Sequence, residues 1–337
     1  MLAAVTEKRS ATAGLTIAVV IPTWKRPEYL RRALEAVRAQ AYPASAIYAI
    51  ARVDDIPTWD LLKEMPRVIA VSVRRPGFLA PLVAAQNALR KSPEDLVAIF
   101  DDDCEPDITF LERVVPFYDD ASVAGVGGRY LSYYRGEPIP MSPARRVGQI
   151  NWLGRAFGGM TAEPLTPGVR DVDFIIGGAA TYRRDLFCSF QFPREMERDV
   201  AYAYEQFIGS QARRRGRLLY DPSAVVVHHT AEREAIGMRP VDVNDPTQRE
   251  RGVQARRDGA WNAAFALWHE VHGLKRIIAC ANFLLIGSSE LPGPVYRLLK
   301  PWRRSLLGWR EAMRAKIEGF RCAASRSWTP LTIDDVQ

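Results

Sequence analysis

An apolar run from Leu96 to Phe100 stops abruptly at three consecutive aspartates, within the stretch Ile99–Asp107 that reads IFDDDCEPD. A short apolar run bounded by polar residues reads as a buried strand, so Asp101, Asp102 and Asp103 are expected at its carboxyl end. In open α/β sheets that edge is where ligands bind. Adjacent carboxylates repel one another, and a cation or a donor-rich ligand relieves the repulsion. Clustered hard oxygens suit magnesium or manganese, commonly shared with a substrate phosphate. The competing reading is a solvated acidic turn in which Pro106 ends the strand.

The flanking sequence alternates between strand and helix periods. Leu15 to Ile21 reads as a strand ended by Pro22, and Arg26 to Gln40 as a helix with Leu30, Leu34 and Val37 on one face. Strands over Ile47–Val53 and Val68–Val73 enclose a short helix over Thr58–Met65, and a helix over Leu79–Arg90 precedes the aspartates. This alternation predicts an α/β fold with a doubly wound, mostly parallel sheet and helices on both faces. Farther on, Leu111–Tyr118 reads as helical and Ser122–Gly128 as a strand, with Arg135–Val169 a long Gly- and Pro-rich loop region. Val172–Ile176 reads as a strand running into Gly177-Gly178. Ala201–Arg215 reads as a helix closed by Gly216. Strands over Arg217–Tyr220 and Ala224–Val227 end at His228-His229, and helices follow over Arg256–His272 and Leu274–Leu285. The resulting division is a disordered lead-in at 1–14, a main domain at 15–272 and a basic helical extension at 273–337.

The formal net charge of +7 suits anionic partners such as nucleotides, nucleic acid or an acidic membrane face. No nucleic-acid-binding module is recognisable, and clustered aspartates repel phosphate unless a metal intervenes, so nucleic acid is not expected as a partner. The four cysteines, Cys104, Cys188, Cys280 and Cys322, lie far apart and suggest neither a zinc site nor a disulfide framework. The first residues lack a signal-peptide core, and Ile277–Gly287 is too short to span a bilayer. A cytoplasmic protein is expected, with peripheral attachment to the cytoplasmic face of the membrane as a variant of that reading. Neither a P-loop nor a GxGxxG turn is present, so neither glycine fingerprint holds a nucleotide.

Four pieces, in order, resemble family 2 of the inverting, nucleotide-sugar-dependent glycosyltransferases, which have the GT-A fold. They are VVIPTWKRPEYLRRALEAVRAQAYP, RRPGFLAPLVAAQNALRKSPEDLVAIFDDDCEPDITFLERV, DFIIGGAATYRRDLF and YEQFIGSQARRRGRLLYDPSAVVVHH. The resemblance runs from about Leu15 to about His229, with a looser echo to about Asn262. It implies a divalent cation, manganese or magnesium, and a nucleotide-diphosphate sugar as donor, a UDP- or dTDP-sugar above others. The acceptor would be a glycan or lipid-linked glycan, in cell-envelope or exopolysaccharide synthesis.

Carried over residue by residue, the family's D-x-D maps onto Asp101-Asp102-Asp103. Asp103 would be the direct metal ligand, Asp101 would serve the ribose or the metal, and Asp102 would face the donor nucleotide; His228 would add a ligand. The general base falls on Glu205, where the family usually has aspartate, with Asp199 and Glu197 in reserve. One extra methylene sets the carboxylate back if it is to reach the acceptor hydroxyl. Pro22, Thr23 and Arg26 would line the donor nucleotide pocket. Arg52, Asp54 and Asp55 stand where the family has V-D-D-G-S, and read equally as a charged turn. Arg75 and Gly77 would face the diphosphate, Asn87 would orient the aspartates, and Gly177 and Gly178 would approach the donor sugar or acceptor.

Basic and apolar residues interleave in the tail between Tyr296 and Arg321, with Trp302 and Trp309 among them. Such a helix suits an anionic membrane surface; packing against the domain with a solvated basic face is the plainer alternative. Two other functions stay open at this stage. One is a catalytically silent sugar-nucleotide-binding scaffold of the same fold. The other is a sugar-nucleotide nucleotidyltransferase, disfavoured because PTWKRP replaces the glycine-rich loop that such an enzyme needs. The oligomeric state is not readable.

Overall fold

The computed structural model describes residues 14–157, 160–161, 163–165, 167–197, 203–230, 245–288, 290–300 and 307–337. The proposed lead-in, 1–13 of it, lies outside these residues. Strand β1 (Ile17–Thr23) is buried on both faces and is followed by α1 (Pro27–Arg38), whose buried face is Leu30, Ala33, Leu34 and Val37. Then come β2 (Ala46–Arg52), α2 (Ile56–Lys63), β3 (Ile69–Val73), α3 (Ala80–Leu89) and β4 (Leu96–Ile99). Next are β5 (Cys104–Pro106), α4 (Phe110–Val114), β6 (Val123–Tyr134), β7 (Arg170–Val172), β8 (Ala180–Arg183) and α5 (Arg184–Ser189). The chain ends with α6 (Tyr204–Ala212), β9 (Arg217–His229), α7 (Pro246–Glu270), α8 (Gly273–Leu285), α9 (Pro294–Leu299), α10 (Trp309–Ser325) and α11 (Ile333–Val336).

The main sheet runs β7-β9-β6-β8-β4-β1-β2-β3. Its β3-β2-β1-β4 half is parallel, β8 runs antiparallel between β4 and β6, and β6 and β9 are parallel to each other. The mostly parallel, doubly wound expectation therefore holds, with a helical carboxy-terminal region after it. Strands buried on both faces read as near-continuous apolar runs, which is why β1, β2 and β4 were legible.

Several boundaries differ from the sequence reading. Pro22 does not end β1: it sits inside the strand opposite Ile50 of β2. The β4 ladder has already finished at Val20–Ile99, so the missing proline N–H leaves no partner unsatisfied there. The predicted strand Val172–Ile176 is confined to Arg170–Val172, because the chain then turns inward. The Asp173 and Phe174 N–H groups donate to the Gly148 carbonyl. The two predicted strands at 217–227 are one, bent by a register shift between Asp221 and Val225. Helix α7 begins ten residues before the expected Arg256, where the Asp245 carboxylate accepts from the Thr247 and Gln248 N–H groups and Pro246 takes the first turn.

The basic tail is not one helix. Helix α10 packs along α7 through Ala312, Ala315, Gly319, Phe320 and Ala323, so much of its length is interior. Lys316 is fully buried and donates to the carbonyls of Phe283, at 2.9 Å, and Leu291, at 2.8 Å. It thereby closes the turn between α8 and α9, and burial pushes its ammonium down to about 8. The last residues return to the sheet domain: Leu331 donates to the Phe192 carbonyl, and the Arg74 and Arg75 N–H groups donate to the Val336 carbonyl.

Removing residues 331–337 strips Leu331 and Val336, both buried, from that contact. Each buried aliphatic is worth about 1.5–3 kcal/mol. The truncated chain should melt several degrees lower, and hydrogen exchange should accelerate at Arg74 and Arg75 while α7 and α10 keep their protection.

Candidate active site

The three aspartates lie where β4 ends, but they do not share one environment. Asp102 and Asp103 are buried and Asp101 is partly exposed. Asp102 accepts from the Thr23 hydroxyl at 2.8 Å and pairs with the Arg26 guanidinium at 3.0 Å. Burial pushes its carboxyl up to about 7; Arg26 and Thr23 oppose this, and the neighbouring aspartates add to it. Asp103 is bound by Arg26 through Oδ2 at 2.9 Å, and its Oδ1 lies 3.4 Å from His228 Nε2. Burial alone would raise Asp103, but the hydrogen bond and charge of His228, together with Arg26, hold it below the ordinary carboxylate range. The β5–β9 ladder explains this meeting. Cys104 pairs with His228, which brings the preceding Asp103 beside the imidazole.

Thr23 and Arg26 were expected around the donor nucleotide; instead both turn to the aspartates. Arg26 is the counter-ion that lets Asp102 and Asp103 be buried side by side. Asp102 is turned inward by these contacts and serves this network, not the donor pocket assigned to it.

Three metal-binding atoms, one each from Asp101, Asp103 and Cys104, lie within 4.8 Å of one another. The Asp103 Oδ1 atom is buried, with His228 Nε2 its neighbour at 3.4 Å. The Asp101 and Asp103 carboxylates fit a divalent cation such as manganese or magnesium, and the His228 imidazole stands beside Asp103. Cys104 was not foreseen. It is fully buried beside the Tyr130 hydroxyl, and burial, with Asp101 and Asp103, raises its thiol well above the usual range. A protonated thiol is a poor ligand, so the two carboxylates are the better donors of this group; the expected His228 touches Asp103 but is not one of the three grouped residues.

On the β1–β2 side, Trp24 follows the strand and the Arg52 guanidinium lies 4.8 Å from its ring centre. Arg52 also grips Asp54 through two hydrogen bonds, at 3.0 and 2.7 Å. Asp54 is exposed at the surface, whereas Asp55 is not. Asp55 is buried as the cap of α2, accepting from Thr58 and from the Lys25 N–H. Its expected contact with a nucleobase is thus corrected to a capping role. Trp24 was overlooked because a lone aromatic in a loop carries no periodic signal; its place after a strand at the ligand edge is the one available clue.

Gly77 has φ +132°, and a Cβ there would fall 1.6 Å from Glu197 Oε1. Glu197 also accepts from the Leu79 N–H at 3.0 Å, so it anchors the turn into α3. This contact, not proton transfer, is the role its position gives it. Arg75 is half-buried in the same segment, with its backbone tied to Val336. Asn87 is exposed and is not brought to the aspartates. One helical step earlier Gln86 points inward, donating to the carbonyls of Phe187 and Phe190 at 2.6 and 2.9 Å.

Glu205 lies in the first turn of α6. The residue as a whole is half-buried, but its carboxyl borders a small apolar pocket with Leu82, Ile99, Ile175, Tyr182 and Ile208. Burial pushes it up to about 8, and the Asp101 charge adds to the rise, while backbone N–H groups of Glu205 and Gly177 oppose it. The glycine pair sits between the two acids. A Cβ on Gly178 would lie 2.6 Å from Asp101 Oδ2, and one on Gly177 would lie 1.8 Å from the Tyr204 hydroxyl. Asp199 falls outside the described residues. Arg213, on the next turns of the same helix, binds Asp173 at 2.9 Å and the Glu270 carboxylate, tying α6 to α7. A separate cleft of about 430 Å³ involves Val123, Arg170 and Arg217. It lies at the amino-terminal ends of β6 and β9, away from the carboxylates.

The sequence profile described as glycosyl transferase family 2 matches residues 18–190, just over half of the chain. Among solved structures, the chain is similar to GalNAc-T7 determined with UDP, GalNAc and Mn2+. The TM-score is 0.53 and the identity 15%, over 85% of this chain and 57% of that one. This chain thus matches less than two thirds of that protein. It is also similar to residues 1–349 of S. aureus TarS in complex with UDP-GlcNAc, with a TM-score of 0.50 and 14% identity, over 93% of this chain and 91% of that one. At such identities the likeness concerns the fold. No curated protein matches the sequence.

The raised Glu205 carboxyl has a consequence for stability. Its folded value, about 8, exceeds the unfolded 4.5. Below the unfolded value both states hold the proton and nothing is lost; from there to about 8 only the folded state holds it, so folding weakens as pH rises. E205Q mimics the protonated form. Relative to the parent chain, its Tm should gain progressively between pH 5 and pH 8; a constant difference across that range would place the carboxyl in water.

Proposed function

The chain belongs to glycosyl transferase family 2, and from that premise we propose that it moves a sugar from a nucleotide-diphosphate donor to an acceptor hydroxyl with inversion. The observation that carries this reading is the pairing of Asp101 and Asp103 at the carboxyl edge of the sheet, with His228 beside Asp103 and Glu205 across the Gly177-Gly178 pair. A divalent cation held by Asp101, Asp103 and His228 would neutralise charge on the departing nucleoside diphosphate. Trp24, Arg52 and Asp54 form the surface against which a nucleobase and ribose would rest. The donor is a UDP-sugar in this reading, by analogy with the UDP and UDP-GlcNAc of the two structural neighbours.

Glu205 is the general base. Its carboxylate accepts the acceptor hydroxyl proton as that oxygen bonds to the anomeric carbon. The bond to the diphosphate oxygen breaks on the opposite face, and its electron pair leaves with the nucleoside diphosphate. The apolar pocket around Glu205 makes it a stronger base but leaves it protonated at neutral pH in the resting protein. Residues 15–272 carry this machinery, and Arg213 holds α6 in place through Asp173 and Glu270. The acceptor is a glycan or lipid-linked glycan of envelope or exopolysaccharide synthesis, made on the cytoplasmic side where nucleotide sugars are available. No helix among the described residues is long and apolar enough to cross a membrane.

A catalytically silent sugar-nucleotide binder is the second reading, favoured by the apolar surroundings of Glu205. Two measurements separate the readings. Unfolding with UDP should show a manganese-dependent rise in Tm that EDTA and D103A each abolish; an equal rise in D103A would remove the metal assignment. Donor turnover, as kcat/KM, should climb with pH along a limb near 8, because only the ionised Glu205 accepts a proton. E205Q should bind UDP with manganese yet lose turnover by about 10²-fold or more. Parent-like turnover by E205Q would place the base elsewhere, and UDP binding without turnover by the parent would favour the silent binder.

A further inference from the structure

Residues 273–300 leave a large apolar surface uncovered. Leu274 is 72% exposed, Ile277 67%, Leu298 74% and Leu299 70%, and Leu285 and Ile286 are exposed beside them. On α8 the positions Leu274, Ile277, Ala281 and Leu285 follow helical spacing and form one narrow stripe. The opposite side of α8 is occupied. Ala279 is buried against α7, and the Asn282 amide donates to the Leu153 carbonyl at 3.1 Å. The loop that receives this bond carries Trp152, itself 57% exposed. Lys316 closes the α8–α9 turn from inside, so the outward stripe is not needed to hold the hairpin together.

Exposed large apolar side chains grouped on two neighbouring helices mark an interaction site. Charge selects the partner. Between residues 273 and 300 the chain has Lys275, Arg276, Arg297 and Lys300 against the single acid Glu290. Arg276 is turned to the Val271 carbonyl and the Trp268 ring, and Arg297 lies over Trp309, which leaves the exposed Lys275 and Lys300 beside the apolar residues; apolar side chains flanked by such cations match the boundary between anionic headgroups and acyl chains. We propose that α8 and α9 lie flat against an anionic lipid surface. Leu274, Ile277, Leu285, Leu298 and Leu299 enter the interface, and Lys275 and Lys300 meet the headgroups. The contact is thus assigned to the hairpin before α10 and not to α10 itself, whose apolar side faces α7. It is independent of the transfer reading.

The test is co-sedimentation of the full chain with phosphatidylcholine vesicles, with or without phosphatidylglycerol, alongside the substitutions I277E/L298E, L274S/L299S and K275E/K300E. All six positions lie outside the core, so unchanged Tm values establish that the variants fold. The parent should bind the anionic vesicles at least tenfold more tightly than the neutral ones. I277E/L298E should lose at least tenfold in affinity and L274S/L299S a smaller amount. K275E/K300E should lose about fivefold or more per reversed charge, on anionic vesicles only. Parent protein that stays in the supernatant with anionic vesicles overturns the proposal, as does undiminished binding by both apolar variants. Light scattering covers the remaining occupant: a parent dimer that I277E/L298E turns into monomer assigns the face to a second copy of the chain and overturns the lipid assignment.

Discussion

Two buried carboxylates side by side are an arrangement that a fold must offset, and here Arg26 does so. One guanidinium binds Asp102 and Asp103 together at 3.0 and 2.9 Å. It stands at the entry to α1, so the start of that helix is tied to the end of β4 across the sheet edge. Thr23 adds a hydrogen bond to Asp102, and His228 approaches Asp103 from β9. The consequence is a division of labour within three consecutive acids. Asp102 faces inward with its carboxyl raised by burial, while Asp103 is held below the ordinary carboxylate range and Asp101 remains accessible. Removing one partner of a buried charge pair commonly costs several kcal/mol because the other is left uncompensated, so the site and the stability of β4, β5 and α1 are inseparable.

The second coupling runs through the two glycines. Gly178 lets Asp101 approach the backbone, and Gly177 does the same for Tyr204 while its N–H group favours ionised Glu205. The charge on Asp101 in turn raises Glu205. A positive group that neutralises Asp101 therefore lowers the Glu205 carboxyl, although burial beside the apolar pocket remains the largest cause of its rise.

The carboxy-terminal region has two distinct relations to the domain. Helix α10 and the last residues are part of its packing: one seals α7, and the other clasps Arg74, Arg75 and Phe192. The α8–α9 hairpin instead turns apolar residues outward. The two had looked alike as sequence, since both interleave cations with aliphatic side chains, and only burial separates them.

The sequence by itself determined the sheet and its edge. Doubly buried strands write themselves as apolar runs, and an acidic run after one of them marks the sheet edge, so β1, β2, β4 and the positions of the aspartates and of the histidine at the end of β9 were readable. Glu205 was singled out only through the family resemblance, and the structure puts it beside an apolar pocket at the start of α6. The tertiary structure decided which of the neighbouring polar residues serve the site. Arg26 and Thr23 turned to the aspartates, Asp55 became a cap, Glu197 an anchor, and Asn87 faced outward while Gln86 faced in. Those outcomes depend on single rotations of about 100° along a helix or on a partner more than a hundred residues away, as for Leu79 and Glu197. Local pattern carries the period of a strand or helix, but it holds no information about which distant donor a carboxylate will meet.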